Sequence, residues 1–451
     1  MDENSLQQAL LNLPDSEPEA VVNAVFIPAF LSALGFELTE RIPQYKTGNG
    51  GDAIDYALRK NKNDVFIHTR VDPYILLELK GRDINLAEGS AQYQSVVKQL
   101  KGYLLGSNCH SVEWGIITNS AHIQLFKKHG KAIYPATSCL EIKLGNIGDI
   151  VATIKRKIDN TPKALTVAIY NNKGGVGKTT TTVNLAAVLT LKDKKVLIVD
   201  FDPNQGDLTK SLGTKPGKKS LYSYLEEGKN RLNPNDVIQS FSTHNTKTGK
   251  SYQFDIIPTD DKLADLGDNE LRQQFSVRRL REILDNHKQD YDYILIDSSP
   301  NWRFFSISAV YAADVVLIPT KHNNIFSLEN AAIAIRKFIP DVQQFRKERN
   351  LEDAGPIALP IFFNGENITE AAKNTAYKAI DEIMKQKSNS KLNLLPYFYP
   401  LYTKANQNRN IFTLPSYANI ASATFSRLPA AYKDKIARDY YLALAKEYFL
   451  Q

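Results

Sequence analysis

The chain is poor in cysteine: Cys109 and Cys139 are the only two in 451 residues. They are too few for a disulfide framework and fall in no metal-type spacing, so a reducing, cytoplasmic setting is expected. Long apolar runs are also missing. The longest candidate, around Ile307–Pro319, is broken by Asp314, so no membrane span is expected. Met1-Asp2-Glu3-Asn4 is acidic, unlike a signal peptide. There is no internal repeat and no low-complexity segment. Charge of one sign does not dominate either: 56 Lys and Arg against 49 Asp and Glu leave +7. That excess permits nucleic-acid contact without requiring it. What remains is an ordinary globular composition, 43% hydrophobic and 23% charged, long enough for two or three domains.

One stretch organises the chain: Asn171-Asn172-Lys173-Gly174-Gly175-Val176-Gly177-Lys178-Thr179-Thr180. The apolar run Ala164–Tyr170 precedes it, and a helical pattern through Val183, Leu185 and Val188 follows. Strand, glycine-rich turn and helix is the setting of a phosphate-binding loop. Glycines let backbone N–H groups converge on phosphate oxygens, and the helix N-terminus adds its positive dipole end. Lys178 is placed for the β- and γ-phosphates and the Thr179 hydroxyl for Mg²⁺. Apolar runs then recur at Val196–Val199, Phe254–Ile257, Tyr293–Ile296, Val315–Ile318 and Ile357–Phe362, with helical stretches between. That alternation predicts an α/β fold, a parallel sheet with helices on both faces and its chemistry at the strand carboxyl ends. Asp200, Asp202, Asp297 and Asn364 follow such runs.

The string K-G-G-V-G-K-T-T resembles the deviant Walker A loop of the ParA/MinD ATPases, P-loop NTPases. The resemblance spans roughly residues 164 to 448. It implies ATP and Mg²⁺ as cofactors, with Lys173 to Thr180 around the nucleotide and Lys173 reaching across to a partner's nucleotide in an ATP-bound homodimer. Val199-Asp200-Phe201-Asp202-Pro203 is similar to the family's D-x-D-P-Q segment. This implies that Asp202 positions the attacking water and Asp200 assists around Mg²⁺. Asn204-Gln205-Gly206-Asp207 departs from the family's Q-G-N. Ile296-Asp297-Ser298-Ser299-Pro300 resembles the Walker B end, with Asp297 on Mg²⁺ through water, and Asn364 falls where the family often reads adenine. An ordinary turn residue is the competing reading of Asn364. The family resemblance also implies non-specific DNA binding, a ParB-like or other adaptor, and association with the nucleoid.

Before this region lies a second constellation. Glu19 opens an apolar helical pattern with Pro28 inside it, expected to kink, and Gly35 at its end. A glycine-rich loop, residues 47–52, leads to strand-like runs at Ile54–Leu58 and Tyr74–Lys80. Glu78 and Lys80 are two apart, so on a strand they share one face. Asp55 on one strand and Glu78-x-Lys80 on the next resemble the PD-(D/E)xK nucleases. Gln99 and Tyr103, four apart on a helix, and Trp114-Gly115-Ile116-Ile117-Thr118-Asn119, with Ser120 in place of a glycine, resemble the N-terminal domain of type I restriction enzyme R subunits. Asp55 and Glu78 are thereby implied as Mg²⁺ ligands, Lys80 as the catalytic lysine, Gln99 and Tyr103 as substrate-side helpers, and Glu19 as a further ligand. A degenerate nuclease fold kept for binding DNA or protein is the alternative. The expected domains are 1–158, a smaller α/β restriction-endonuclease-like domain, and 163–451, the ATPase, joined by Asp159–Lys163.

From Lys391 onward, Lys391, Lys404, Arg409, Arg427, Lys433, Lys435, Arg438 and Lys446 oppose three acidic residues, a local +5. Cations spaced along a surface suffice for phosphate contact, so DNA is expected here. The last helix is amphipathic and is expected to dock on the core, with membrane contact as the alternative. Three roles stand open: a partition or positioning ATPase, an ATP-switched nuclease, and an ATPase whose first domain is a tether.

Overall fold

The computed structural model describes residues 3–49, 53–226, 233–245, 249–350, 353–365, 367–386 and 392–451. Gly50, Gly51, Asp52 and Lys391 therefore lie outside the described residues. The chain divides into two compact units, Met1–Thr161 with Arg346–Ala354 and Gln451, and Pro162–Phe345 with Gly355–Leu450. Among the described residues, no helix is long and apolar enough to cross a membrane.

The first unit is a mixed sheet with helices on both faces. Its strands are β1 (Arg41–Lys46), β2 (Ala53–Leu58), β3 (Ile75–Leu79), β4 (Trp114–Thr118), β5 (His122–His129), β6 (Ala132–Pro135) and β7 (Leu140–Glu141). β1 to β6 lie in sequence order, with β7 beside β5. All pairs are antiparallel except β3 with β4, which the helix Ala91–Leu104 connects as a parallel crossover. Alternation along the strands sends Leu77, Leu79 and Ile116 to one face, against Val22, Phe26, Phe30 and Ile154. It sends Leu76 and Ile117 to the other, against Val96, Leu100 and Leu104. The stretch from Glu19 is two helices, Glu19–Val25 and Ile27–Ala33. Pro28 sits in the first turn of the second, where its missing N–H breaks no helical bond, so the chain restarts rather than kinks.

The second unit is built on β8 (Leu165–Ile169), β9 (Val196–Phe201), β10 (Gln239–Asn245), β11 (Lys250–Ile257), β12 (Tyr293–Ser298), β13 (Val315–Leu317), β14 (Pro319–Thr320), β15 (Ile357–Ala358), β16 (Phe362–Asn364) and β17 (Thr413–Leu414). The main sheet runs β10-β11-β9-β12-β8-β13-β15, and only β10 is antiparallel. β14, β16 and β17 form a short parallel sheet. Every residue of β8, β9 and β12 is buried, as a sheet covered on both faces requires. β10 is the strand that apolar runs do not announce, because Gln239-Ser240-Phe241-Ser242-Thr243-His244-Asn245 is mostly polar and edges the sheet. The run Ile357–Phe362 divides between β15 and β16, which belong to different sheets. The last helix, Lys435–Tyr448, buries Tyr441, Leu444 and Tyr448 and packs on the helix Lys178–Thr190, so it docks on the core.

Candidate functional site

Parallel pairing decides which carboxylates meet. β12 lies between β8 and β9, and its register sets Asp297 beside Asp200 and beside Ile169, one residue before Tyr170 and the glycine-rich turn. The turn leads into the helix Lys178–Thr190, with Gly177 as its N-cap in the left-handed region at φ 84°. A Cβ on Gly177 would come within 2.4 Å of Asn364 Nδ2, so glycine is required twice over. Gly174 and Gly175 have nothing within 4 Å of where a Cβ would stand, which leaves the outer side of the turn open. Two asparagines fix the turn's entry. Asn171 donates to Pro319 O at 2.9 Å and Ser327 O at 3.0 Å, and Asn172 donates to Asn330 Oδ1 at 3.0 Å.

Lys178 is buried, and its ammonium donates to Lys173 O at 3.3 Å. Burial pulls its pKa below the usual lysine range, opposed by Asp297 and Asp202. Asp297 is driven well up by burial and by Asp200, while a Thr179 hydrogen bond works the other way. Asp202 is raised by burial, with Lys178 opposing. One oxygen of each, Asp202 Oδ1 and Asp297 Oδ1, is buried with no partner among the described residues. Burying unpaired carboxylate oxygens is costly, and a divalent cation is the group such a pair fits. Among the described residues, no three His, Cys, Asp or Glu side chains gather closely enough to hold a metal alone. Thr179 and phosphate oxygens would have to complete its shell.

Two further expected residues are held by hydrogen bonds within the fold. Asp200 Oδ2 accepts from Thr209 N at 2.8 Å and Thr209 Oγ1 at 2.6 Å, and Oδ1 from Asp202 N at 3.4 Å. It is fully buried, with its pKa pushed up to about 6 by that burial. Its oxygens brace the Asp202 turn and the helix Asp207–Leu212. Asn364 Nδ2 donates to Val176 O at 2.7 Å, Thr181 Oγ1 at 3.1 Å and Gly177 O at 3.3 Å. Its amide nitrogen grips the turn from beneath, leaving only Oδ1 for other contacts. Lys173 is half-exposed and has no ion-pair partner among the described residues.

In the first unit, Asp55 and Glu78 come together across β2 and β3. Asp55 Oδ2 accepts from Leu79 N at 2.7 Å, and Asp55 Oδ1 from Gln44 Nε2 at 3.3 Å. Lys80 Nζ lies 2.6 Å from Glu78 Oε1 and 3.6 Å from Glu19 Oε2. Burial pushes Glu78 up to about 7, Lys80 pulls it back, and Asp55 and Glu19 add to the rise. Burial likewise raises Asp55 and Glu19. Burial works against the charge on Lys80, but its hydrogen bond and attraction to Glu78 win, so its pKa rises. Gln99 Nε2 donates to Tyr103 OH at 3.0 Å, as i,i+4 spacing allows. Ser120 sits at φ 64°, a conformation glycine adopts freely, and its Oγ accepts from Arg82 Nε at 2.9 Å. Sequence reasoning passed over Gln44, Thr209 and the two turn-anchoring asparagines. Only Asn171 and Asn172 carried a signal, by flanking the glycines.

Two of the C-terminal cations are engaged within the fold. Arg409 pairs with Asp381 at 2.9 Å, and Arg438 donates to Ala431 O at 3.0 Å and Tyr432 O at 3.3 Å. Lys404, Arg427, Lys433, Lys435 and Lys446 are exposed.

Residues 164–352 match the family model of an AAA domain. The chain is 39% identical over 158 residues to the sporulation initiation inhibitor protein Soj of Bacillus subtilis, covering 34% of this chain and 57% of that protein. It is 36% identical over 171 residues to the chromosome-partitioning ATPase Soj of Treponema pallidum, 38% of this chain and 62% of that protein. The chain thus spans about three-fifths of the length of these relatives. Among solved structures, it is similar to a Cyanothece McdA variant with ATP, at 21% identity and TM-score 0.44 over 64% of this chain and 100% of that one. It is also similar to the septum site-determining protein MinD of Pyrococcus horikoshii with Mg-ADP, at 22% identity and TM-score 0.43 over 63% of this chain and 95% of that one.

Proposed function

We propose that this protein is a ParA-like ATPase that dimerises on ATP, binds DNA without sequence preference, and partitions DNA or positions cargo with an adaptor protein. The observation that carries the reading is the doubled-lysine turn facing two carboxylates, Asp202 and Asp297, each with an oxygen that lacks a partner among the described residues. Lys178 and the backbone from Gly174 to Thr180 would hold the phosphates, and Thr179 with Asp297 would hold Mg²⁺. Bound there, Mg²⁺ would neutralise the carboxylates and polarise the terminal phosphate. Asp202, its basicity raised by burial, would orient a water for in-line attack. Asp200 would act through Asp202, and Asn364 through the turn it grips. Lys173, unpaired within this chain among the described residues, would reach the nucleotide of a second copy. The similarity to Soj proteins supports this reading. Sedimentation with and without ATP tests the dimer, and an ATP-independent profile would overturn it. For DNA, changing Arg427, Lys433 and Lys435 to Gln should lower the salt slope of binding by roughly 0.9 for each phosphate no longer neutralised. An unchanged slope would move the surface elsewhere.

A second reading concerns the first unit. Asp55, Glu78 and Lys80 gather where β2 meets the end of β3, Glu78 buried and the other two half-buried, the residue set a Mg²⁺-dependent nuclease would use; a tether would use the same fold without the chemistry. Plasmid DNA with the full chain, Mg²⁺ or Mn²⁺, with and without ATP, decides between them. Cleavage lost in Asp55→Asn and Lys80→Ala supports the nuclease, and no cleavage under any condition leaves the tether.

A further inference from the structure

A cavity of ≈ 570 Å³ opens beside β1, the edge strand of the first unit. Gln44, Lys46, Arg70, Asp72, Asn108 and His110 are among its lining residues. Three observations converge on it. Six non-glycine residues among the described ones have positive φ, and three of them, Gln44 (49°), Arg70 (54°) and Asp72 (53°), line this one cavity. At Arg70 the conformation is the left-handed cap that ends the helix Phe66–Thr69, while at Gln44 and Asp72 such a backbone costs roughly 1 kcal/mol or more and persists where its surroundings impose it. The lining is also unbalanced in charge. Asp72 is the one carboxylate among the lining residues, against Lys46 and Arg70; among the described residues Lys46 has no ion-pair partner and Arg70 Nε reaches only Ile67 O at 3.4 Å. Finally, Gln44 belongs to both places: it lines the cavity and donates to Asp55 Oδ1 at 3.3 Å.

We propose that this cavity binds a phosphodiester group of a nucleic-acid strand, with Lys46, Arg70 and His110 as donors to its oxygens and Gln44 as the link to the Asp55 carboxylate. Cations on a concave surface are what phosphate contact needs, and no base reading is implied. The proposal rests on the second reading only for the meaning of the neighbouring carboxylates. Binding here stands whether or not the strand is cut.

The test is hydrogen exchange on the full chain in EDTA, with a single-stranded DNA oligonucleotide or with a deoxynucleoside monophosphate. The expected result is slowed exchange at residues 42–46 and 107–110 with the oligonucleotide. In Lys46→Gln with Arg70→Asn that protection should vanish, and the salt slope should fall by about 1.4 for two phosphates no longer neutralised. Asparagine at position 70 tolerates the left-handed backbone, so the variant should fold. Protection by the monophosphate alone would make a free nucleotide the ligand and overturn the strand. No protection, or protection unchanged in the variant, overturns the cavity as a site. Cleavage is scored separately with Mn²⁺: protection without cleavage removes the nuclease reading alone, and cleavage without protection removes this proposal alone.

Discussion

Both units bury carboxylates around a lysine, and they treat the lysine in opposite ways. In the second unit, Lys178 turns back onto Lys173 O, and Asp202 and Asp297 each keep an oxygen without a partner among the described residues. In the first, Lys80 lies directly on Glu78 at 2.6 Å and near Glu19 at 3.6 Å. One centre offsets its electrostatic cost only in part, through Lys178 and the Thr179 hydrogen bond, and leaves two carboxylate oxygens for a cationic ligand. The other sets a lysine directly on the carboxylate, although burial still outweighs it at Glu78. A metal at Asp55 and Glu78 must therefore compete with Lys80, whereas a metal at Asp297 competes with no lysine ion pair.

The sharpest way to break this contrast is turnover. Asp202→Ala should lower ATP hydrolysis by about 100-fold or more while leaving ATP-dependent dimerisation, measured by sedimentation. Lys173→Ala should bind ATP but not dimerise, and matching profiles for the two variants would remove the shared-nucleotide dimer. Next in size is binding. Lys178→Ala should weaken nucleotide affinity by about 100-fold, roughly 3 kcal/mol, in calorimetry. Lys80→Ala should leave it unchanged.

The pH response of the first unit comes third. Glu78 titrates near 7 when folded against 4.5 as its ordinary value, so between those pH values the folded state holds more protons than the unfolded one. Its contribution to stability is therefore full below pH 4.5 and lost as pH rises through 7, by about 3 kcal/mol at most. Chemical denaturation of the metal-free protein should show this fall, and Glu78→Gln should flatten it. A stability that rises over this range would mean that Lys80 outweighs the burial. The smallest effect is at Asn364. Asn364→Ala removes the grip on Val176 and Gly177 and should cost about 1–2 kcal/mol of stability by thermal unfolding. Nucleotide affinity falling more than stability would give Oδ1 a direct contact.

The sequence by itself determined the local units of both centres. The glycine-rich turn between an apolar run and a helix needs only adjacent residues, so Lys173 to Thr180 was legible. The same holds for Glu78 and Lys80, because strand alternation puts residues two apart on one face. Apolar runs likewise marked most strands of the main sheet but not β10, whose polar sequence suits an edge. What only the tertiary structure decided is the pairing of residues distant in the chain. Register alone brings Asp297 to Asp200, and only folding brings Asn364 to Gly177 and Lys80 to Glu19. The bracing of Asp200 comes from Thr209, nine residues on, whose hydrogen bonds no spacing rule announces. Spacing fixes which side chains share a face, but hydrogen bonds are filled by whatever donor the packed chain brings within reach, and that is a property of the whole fold.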